Sequence, residues 1–125
     1  MTAPETRGQL WIMVSGPYTT GARTRADRKR NLEALNRAAY EVFRRGHVPI
    51  VGVNLALPIV EAVGDERYDE VMMPLSLAAA ERCDAVLRIG GASTGADQEV
   101  ERIQARGGKV FYSVEELPGP ESGGV

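Results

Sequence analysis

Residues 83–99 predict a buried strand, then a loop of small residues, then the start of a helix. Glu99 is a carboxylate in the first turns of that helix. Helical geometry sets Glu99 at the edge of the buried stripe of that helix, facing the loop before it. A carboxylate there could attack the anomeric carbon of a sugar or stabilise an oxocarbenium ion, as in retaining glycosidases. The alternative is that an acid in the first helical turns only complements the helix dipole.

The loop before this helix, Gly90–Gly95, contains three glycines and two hydroxyl side chains. Backbone N–H groups of such a loop converge on one spot, which suits an anionic or sugar-bearing ligand. Ser93 and Thr94 could hold a phosphate or could cap the helix, and the glycines could simply permit an unusual turn. The loop lacks the spacing of a P-loop, which also requires a following lysine.

A second unusual loop begins with Gly16, Pro17 and Tyr18. Tyr18 could stack on a base or orient an acid, and the alternative is an ordinary wedged tyrosine. The stretch that follows is basic, and cations near a helix N-terminus oppose the dipole unless an anion is close. We expect most of these side chains to form a solvated face, with Arg23 as a candidate phosphate contact; the five basic residues are Arg23, Arg25, Arg28, Lys29 and Arg30.

Four apolar runs predict the strands that position these loops. Continuous apolar runs bounded by turn residues are typical of strands buried on both faces. The segment 52–65 has no clear pattern, although residues 55–63 suit a helical turn. The predicted strands are Leu10–Val14, His47–Val51, Asp84–Ile89 and Lys109–Tyr112.

Helical spacing of apolar residues predicts three helices. The first has Asp27 as its N-cap and stops at Gly46. The second covers residues 68–83 and is either kinked at Pro74 or restarts there. The third follows the glycine-containing loop and ends at Gly107.

Alternating strands and helices predict an α/β fold, a three-layer α/β/α sandwich of the flavodoxin or Rossmann-like type. We expect a parallel sheet of four or five strands in the order 2-1-3-4. Ligands of such sheets bind where the strand order reverses, beyond the carboxyl ends of the strands. The loops after strands one and three should therefore meet at one site. The domain should cover residues 1–117, with residues 118–125 as a flexible tail.

Composition narrows the classes of partner. The chain has 125 residues and a formal net charge of −2, which gives no overall drive toward a nucleic acid polymer or a membrane. No apolar run approaches the roughly 20 residues that span a bilayer. The single cysteine, Cys83, fits a cytoplasmic location. One histidine, His47, and one cysteine make a zinc site improbable, and we expect His47 to be structural and no cofactor or metal to be bound.

The order of several short motifs resembles the nucleoside 2-deoxyribosyltransferase-like superfamily. An early strand ends in Gly-Pro-Tyr, a helix ends in Gly-His-x-Pro, and a Cys-Asp-Ala-Val strand precedes a Ser-x-Gly-x-x-x-Glu helix. The likeness covers most of residues 10–111. It is greatest to the small uncharacterised bacterial branch, alongside the hydrolases that release a base from nucleoside 5′-monophosphates.

The resemblance implies a role for each matching residue. Glu99 falls on the nucleophile that takes the sugar from the base, and Ser93 on the serine that contacts the 5′-phosphate. The loop of Gly16, Pro17 and Tyr18 falls on the segment that shapes the sugar and base pocket. Members form dimers or larger homo-oligomers, often completing the pocket with a neighbouring subunit.

The chain departs from the family pattern at Ser76. Relatives usually have an aspartate there, eight residues before the strand aspartate that corresponds to Asp84, and it assists at the glycosidic bond. Serine cannot serve as an acid at neutral pH. Asp69 or Asp97 is then a candidate substitute, or the chain has kept the pocket and lost catalysis.

The sequence therefore predicts an N-glycosidic enzyme, a hydrolase or a transferase, that acts on nucleosides or nucleoside 5′-monophosphates. The alternative is a non-catalytic nucleotide-binding module or sensor. A weaker alternative is a likeness to cytokinin-activating phosphoribohydrolases, whose Gly-Gly-x-Gly-Thr loop differs from the one here. The candidate catalytic residues are Glu99 and Tyr18, and the candidate substrate-binding residues are Gly16, Pro17, Gly91, Ser93, Gly95, Arg23 and Asn54.

Overall fold

A computed structural model describes residues 8–119. It contains four strands and four helices, with one helix between the first two strands, two between the second and third, and one between the third and fourth; 3₁₀ turns lie at Asp65–Arg67 and Val114–Glu116. The strands are β1 (Trp11–Ser15), β2 (Val48–Ile50), β3 (Ala85–Arg88) and β4 (Lys109–Phe111), and the helices are α1 (Arg25–Arg44), α2 (Gly52–Val63), α3 (Tyr68–Ala80) and α4 (Thr94–Ala105).

The four strands form one parallel sheet in the order β2-β1-β3-β4. This confirms the predicted α/β class, the parallel sheet and the strand order. In β1, Met13 pairs with Ile50 on one side and with Val86 on the other, so β1 lies inside the sheet. The direction in which successive strands are added to the sheet reverses between β1 and β3, and because the two strands are parallel their carboxyl ends lie at the same edge.

Alternate residues of β1 face different layers. Ile12 and Val14 pack with Leu35 and Val42 of α1, and all four side chains are buried. Met13 faces the opposite layer, with Ala80, Cys83 and Ile103 from the α3 and α4 side. Because every inner residue of β1 is buried on one face or the other, its apolar run has no polar alternation.

The start of α1 differs from the prediction. Its N-cap is Thr24, whose hydroxyl accepts a 3.0 Å hydrogen bond from the Asp27 N–H. Asp27 is three residues inside the cap, and its carboxylate accepts from the N–H groups of Arg23 and Thr24. These bonds form a capping box, and the Arg23 N–H is the main reason why the pKa of Asp27 lies below its usual value. The prediction of Asp27 was wrong because aspartate and threonine both favour the cap position.

The segment without a clear pattern forms the full helix α2, which has no side-chain N-cap and contains Pro58. Helix α3 runs through Pro74 without restarting there. The two helices pack against each other as a hairpin before the chain enters β3. Tertiary packing thus offsets the loss of one backbone hydrogen bond at each proline.

His47 ties three segments together, as the structural interpretation predicted. Its side chain is 1% exposed, its Nδ1 accepts from the Leu10 N–H at 3.0 Å, and its Nε2 bonds to the Pro118 carbonyl. Pro118, the first residue of the predicted tail, is therefore held against the domain, and residues 120–125 lie outside the described part of the chain. Within residues 8–119, no helix is long and apolar enough to cross a membrane.

Candidate active site

A cavity of about 80 Å³ lies at the carboxyl edge of the sheet, between the loops after β1 and β3. Its position is the crevice predicted from the strand order. The volume is well below the roughly 300 Å³ of a small ligand pocket, so it takes one small group beside its walls. Its walls come from five parts of the chain: Val14, Gly16, Tyr18, Thr19, Thr20, Leu35, Val51, Gly52, Val53, Tyr68, Met72, Met73, Ser76, Ser93, Gly95, Ala96 and Glu99.

Glu99 is the carboxylate in this wall. It lies in α4 and is 8% exposed. The Ser15 hydroxyl donates a 2.5 Å hydrogen bond to Glu99 Oε1, a length typical of a hydrogen bond to a carboxylate. Burial raises the pKa of Glu99 to about 7, although the Ser15 hydrogen bond and the charge of Arg88 both favour the ionised form. Glu99 is thus held in one orientation and changes charge near neutral pH.

The loop between β3 and α4 is held from both sides. Ser93 is the N-cap of α4, and its hydroxyl oxygen accepts from the Ala96 N–H at 3.2 Å. Arg88, at the end of β3, donates to the carbonyls of Ile89 and Gly91 at 2.6 and 2.8 Å. The start of α4, which carries Glu99 one turn further on, is therefore fixed relative to the sheet.

Gly52 and Ser76 form the wall next to Glu99. A Cβ placed on Gly52 would lie 2.8 Å from Ser76 Cβ and 3.2 Å from Glu99 Oε2. Only a glycine allows α2 to begin this close to α3. Ser76 is 2% exposed and borders the cavity on the same side as Glu99.

Two tyrosines also line the cavity. Tyr18 follows β1, and Tyr68 is the first residue of α3. Burial raises the pKa of the half-buried Tyr68, the nearby Tyr18 raises it further, and a hydrogen bond with the Thr19 side chain offsets part of the rise. Tyr68 therefore keeps its proton and presents a neutral phenol.

The structure brings five of the predicted site residues to one cavity: Gly16, Tyr18, Ser93, Gly95 and Glu99. The wall residues do not include the other four, which are placed elsewhere. Pro17 packs against Gly90, where an added Cβ would lie 2.7 Å from the proline ring, and Gly91 borders a separate groove beside Tyr112. Both residues support the loops rather than face the cavity.

Arg23 and Asn54 also lie away from the cavity. Arg23 is exposed ahead of α1, and Asn54 is exposed on α2, where its amide donates to Asn36 Oδ1 at 2.5 Å. The suggested substitute acids do not reach the site either. Asp69 is exposed, and Asp97 is an exposed partner of Arg88 at 3.2 Å. Charge and polarity in the sequence did not indicate which way these side chains face.

Several wall residues had no functional interpretation from the sequence, among them Gly52, Tyr68 and Thr19. Ser15 had likewise been interpreted only as a turn residue after the first predicted strand, Leu10–Val14, although its hydroxyl orients Glu99. The one local signal was Gly52, directly after the second predicted strand. Its role as a close contact could not be predicted, because the residue packed against it is Ser76 of α3, 24 positions later in the chain.

Metal chemistry and thiol chemistry find no support at this cavity. In the part of the chain that the structure describes, no group of three or more His, Cys, Asp and Glu side chains could hold a metal ion. Cys83 is buried, and burial raises its pKa to about 11. A thiol that keeps its proton is a poor nucleophile.

No protein-family model matches the sequence, and no curated protein is significantly similar to it. The likeness to the nucleoside 2-deoxyribosyltransferase-like superfamily therefore stays a prediction from short motifs. The chemistry of the site has to be inferred from its own geometry.

Proposed function

We propose that the chain binds a nucleoside or nucleoside 5′-monophosphate in this cavity and breaks the N-glycosidic bond through Glu99. One observation carries the proposal: a buried carboxylate, oriented by Ser15, lines the cleft where ligands of parallel sheets bind. A buried acid whose pKa is shifted by its surroundings is typical of a functional site. A structural acid in the same helix would be solvated, as Glu101 is.

The geometry supports nucleophilic attack at the anomeric carbon. Glu99 Oε1 is occupied by the Ser15 hydroxyl, and Oε2 lies on the side of Gly52. Attack by Oε2 would give a glycosyl ester and release the base, and a second acceptor would then take the sugar. Water as the acceptor makes the chain a hydrolase, and a second base makes it a transferase.

The start of α4 supports binding of the sugar or its 5′-phosphate. Ser93 and Gly95 border the cavity at this helix N-terminus. The Ser93 oxygen accepts from Ala96, so its own proton is available to a ligand oxygen. Because the cavity itself is small, the larger part of a nucleotide has to lie outside it. A nucleotide substrate is also consistent with the proposed cytoplasmic location.

A non-catalytic nucleotide-binding module is the second candidate. Among the described residues that line the cavity, Glu99 is the only carboxylate, and Ser76 occupies the position where the family has an aspartate. A binding module would be stabilised by nucleotide in both the wild type and Glu99→Gln, without turnover. Turnover would exclude it.

The same proposal includes assembly into a homodimer or a larger homo-oligomer. Helices α1 and α2 expose large apolar side chains that a second copy could cover. Light scattering after size-exclusion chromatography tests this, and a monomer at micromolar concentration would contradict it. The exposed residues are Tyr40 and Phe43 on α1 and Leu55, Ile59 and Val63 on α2.

The enzymatic proposal is tested by incubating the purified chain with nucleosides and their 5′-monophosphates and separating free base by chromatography. We expect base release by the wild type and by Glu101→Gln, an exposed control on the same helix, and none by Glu99→Gln. Absence of release from every compound, or full activity in Glu99→Gln, would reject it.

A further inference from the structure

The polar groups around Glu99 are donors of hydrogen bonds rather than acids. The described side chains in the cavity wall include hydroxyls from serine, threonine and tyrosine, but no lysine, arginine, histidine or second carboxylic acid. A leaving base that needs a proton in order to depart would find no carboxylic acid to supply it. General acid catalysis of this kind contributes roughly 10²–10⁴-fold to a rate.

The start of α2 supplies donors next to Glu99. Val51 is its N-cap but provides no side-chain hydrogen bond, so the first N–H groups of the helix are not capped. Val51, Gly52 and Val53 all border the cavity. A helix N-terminus also carries a partial positive charge, which stabilises negative charge placed before it.

Ser76 is a second, independent feature of the same wall. Its side chain is 2% exposed and borders the cavity. Its hydroxyl oxygen lies against Gly52, on the part of the wall that also carries Glu99 Oε2. A serine hydroxyl in this position can donate a hydrogen bond to a ligand atom beside Glu99.

We infer that this site, on the basis of the proposed function, acts on glycosides whose leaving group departs as a stabilised anion rather than after protonation. The anions of such leaving groups are weakly basic. Examples are an oxo-pyrimidine base, or a group linked to the sugar through oxygen, whereas adenine is not of this kind. The Ser76 hydroxyl and the N–H groups at the start of α2 stabilise the negative charge that develops on the departing atom. The donor set thus determines the class of substrate.

The step balances without an acid. Glu99 Oε2 forms a bond to the anomeric carbon, the bond to the leaving group breaks, and its electron pair leaves with the departing anion. Water then attacks the glycosyl ester, restores the Glu99 carboxylate and gives the sugar hydroxyl. The proton lost by the water goes to the departed anion or to solvent.

The two tyrosines do not supply the missing acid. Tyr68 hydrogen-bonds with the Thr19 side chain, and burial makes it a weaker acid than a free phenol. No bond from either tyrosine to Ser76 or Glu99 occurs in the described hydrogen-bond network. Gly52 of α2 and Ser76 of α3 lie together beside Glu99 Oε2.

The experiment compares leaving groups on one sugar. The probes are aryl β-D-ribofuranoside 5-phosphates that carry 4-nitrophenol, 4-chlorophenol or phenol, together with uridine and adenosine 5′-monophosphates. The measured quantity is kcat/KM, which reports the steps up to the first irreversible one. We expect a fall of at least about 100-fold from 4-nitrophenol to phenol, and faster cleavage of the uridine than of the adenosine compound.

Two variants at position 76 make the test specific. Ser76→Asp adds an acid and should speed cleavage of the phenyl compound more than that of the 4-nitrophenyl compound. Ser76→Asn introduces a side chain of the same size as aspartate that is not acidic, so the steep dependence of kcat/KM on the leaving group should remain. Equal kcat/KM for all leaving groups in the wild type would overturn this inference while leaving the proposed function intact. If even the 4-nitrophenyl compound is not cleaved, both the inference and the proposed function are overturned. The wild-type series alone tests the inference, so the test still holds if a variant does not fold.

Discussion

Replacing Glu99 by glutamine should stabilise the fold by an amount that increases as the pH rises from about 4.5 to about 7. Burial raises the pKa of Glu99 from 4.5 to about 7. Between these values the unfolded chain releases the proton while the folded chain retains it. The folded state then binds more protons, so the free energy of unfolding falls as the pH rises through this window.

The size of the effect follows from the pKa difference. Each pKa unit corresponds to about 1.4 kcal/mol. Above pH 7, ionised Glu99 therefore lowers the free energy of unfolding by about 3 kcal/mol, and below pH 4.5 this loss disappears. Glu99→Gln is neutral at every pH and does not incur the loss. The advantage of the variant over the wild type should therefore grow by about 2–3 kcal/mol from pH 5 to pH 8.

The assay is denaturant unfolding of both proteins at pH 5 and pH 8. Glu101→Gln is the matched control, because Glu101 is exposed on the same helix and should show no comparable difference. An equal effect of Glu99→Gln at both pH values would refute the claim that the cavity desolvates this carboxylate. A residue such as Glu99, which lowers the free energy of unfolding at neutral pH, is expected where function requires a buried charge.

Three further substitutions test the contacts around the site. Ser15→Ala removes the donor that favours ionised Glu99, so its titration, followed by NMR of labelled glutamate, should move up by roughly one pH unit; an unchanged titration would contradict the role of Ser15. Gly52→Ala would place a methyl group 2.8 Å from Ser76 Cβ, and denaturant unfolding should show a loss of about 1–3 kcal/mol; wild-type stability would contradict the close approach of α2 and α3. His47→Ala leaves the Leu10 N–H and the Pro118 carbonyl without their partner, so thermal or denaturant unfolding should show a loss of about 2–4 kcal/mol, and a change below 1 kcal/mol would contradict the structural role of His47.

The sheet could be predicted because its signals are local. The inner residues of β1 and β3 are almost entirely buried, so each strand is a continuous apolar run bounded by turn residues. The parallel order then followed from the alternation with helices. Helix α2 could be predicted only as a helical turn in residues 55–63, since it starts with a glycine, lacks a capping side chain and contains Pro58. Its stability comes from packing against α3.

The site could be predicted only in part, because its contacts join distant parts of the chain. The loop spacing indicated Glu99 and Ser93, and the strand order indicated which loops meet. The hydrogen bond from Ser15 to Glu99 joins residues 84 positions apart, and no local pattern encodes it. Arg23 and Asn54 were predicted from residue type alone, and both are exposed and absent from the cavity wall.

Trapping the sugar on the enzyme tests the central claim most directly. A 2-deoxy-2-fluoro-arabinofuranosyl 5-phosphate with a 4-nitrophenol leaving group slows the second step more than the first when a glycosyl ester forms. We predict that the intact mass rises by one fluorosugar phosphate, that peptide mapping locates it on Glu99, and that Glu99→Gln gains nothing. Attachment at another residue, or release of 4-nitrophenol that persists in Glu99→Gln, would contradict the account.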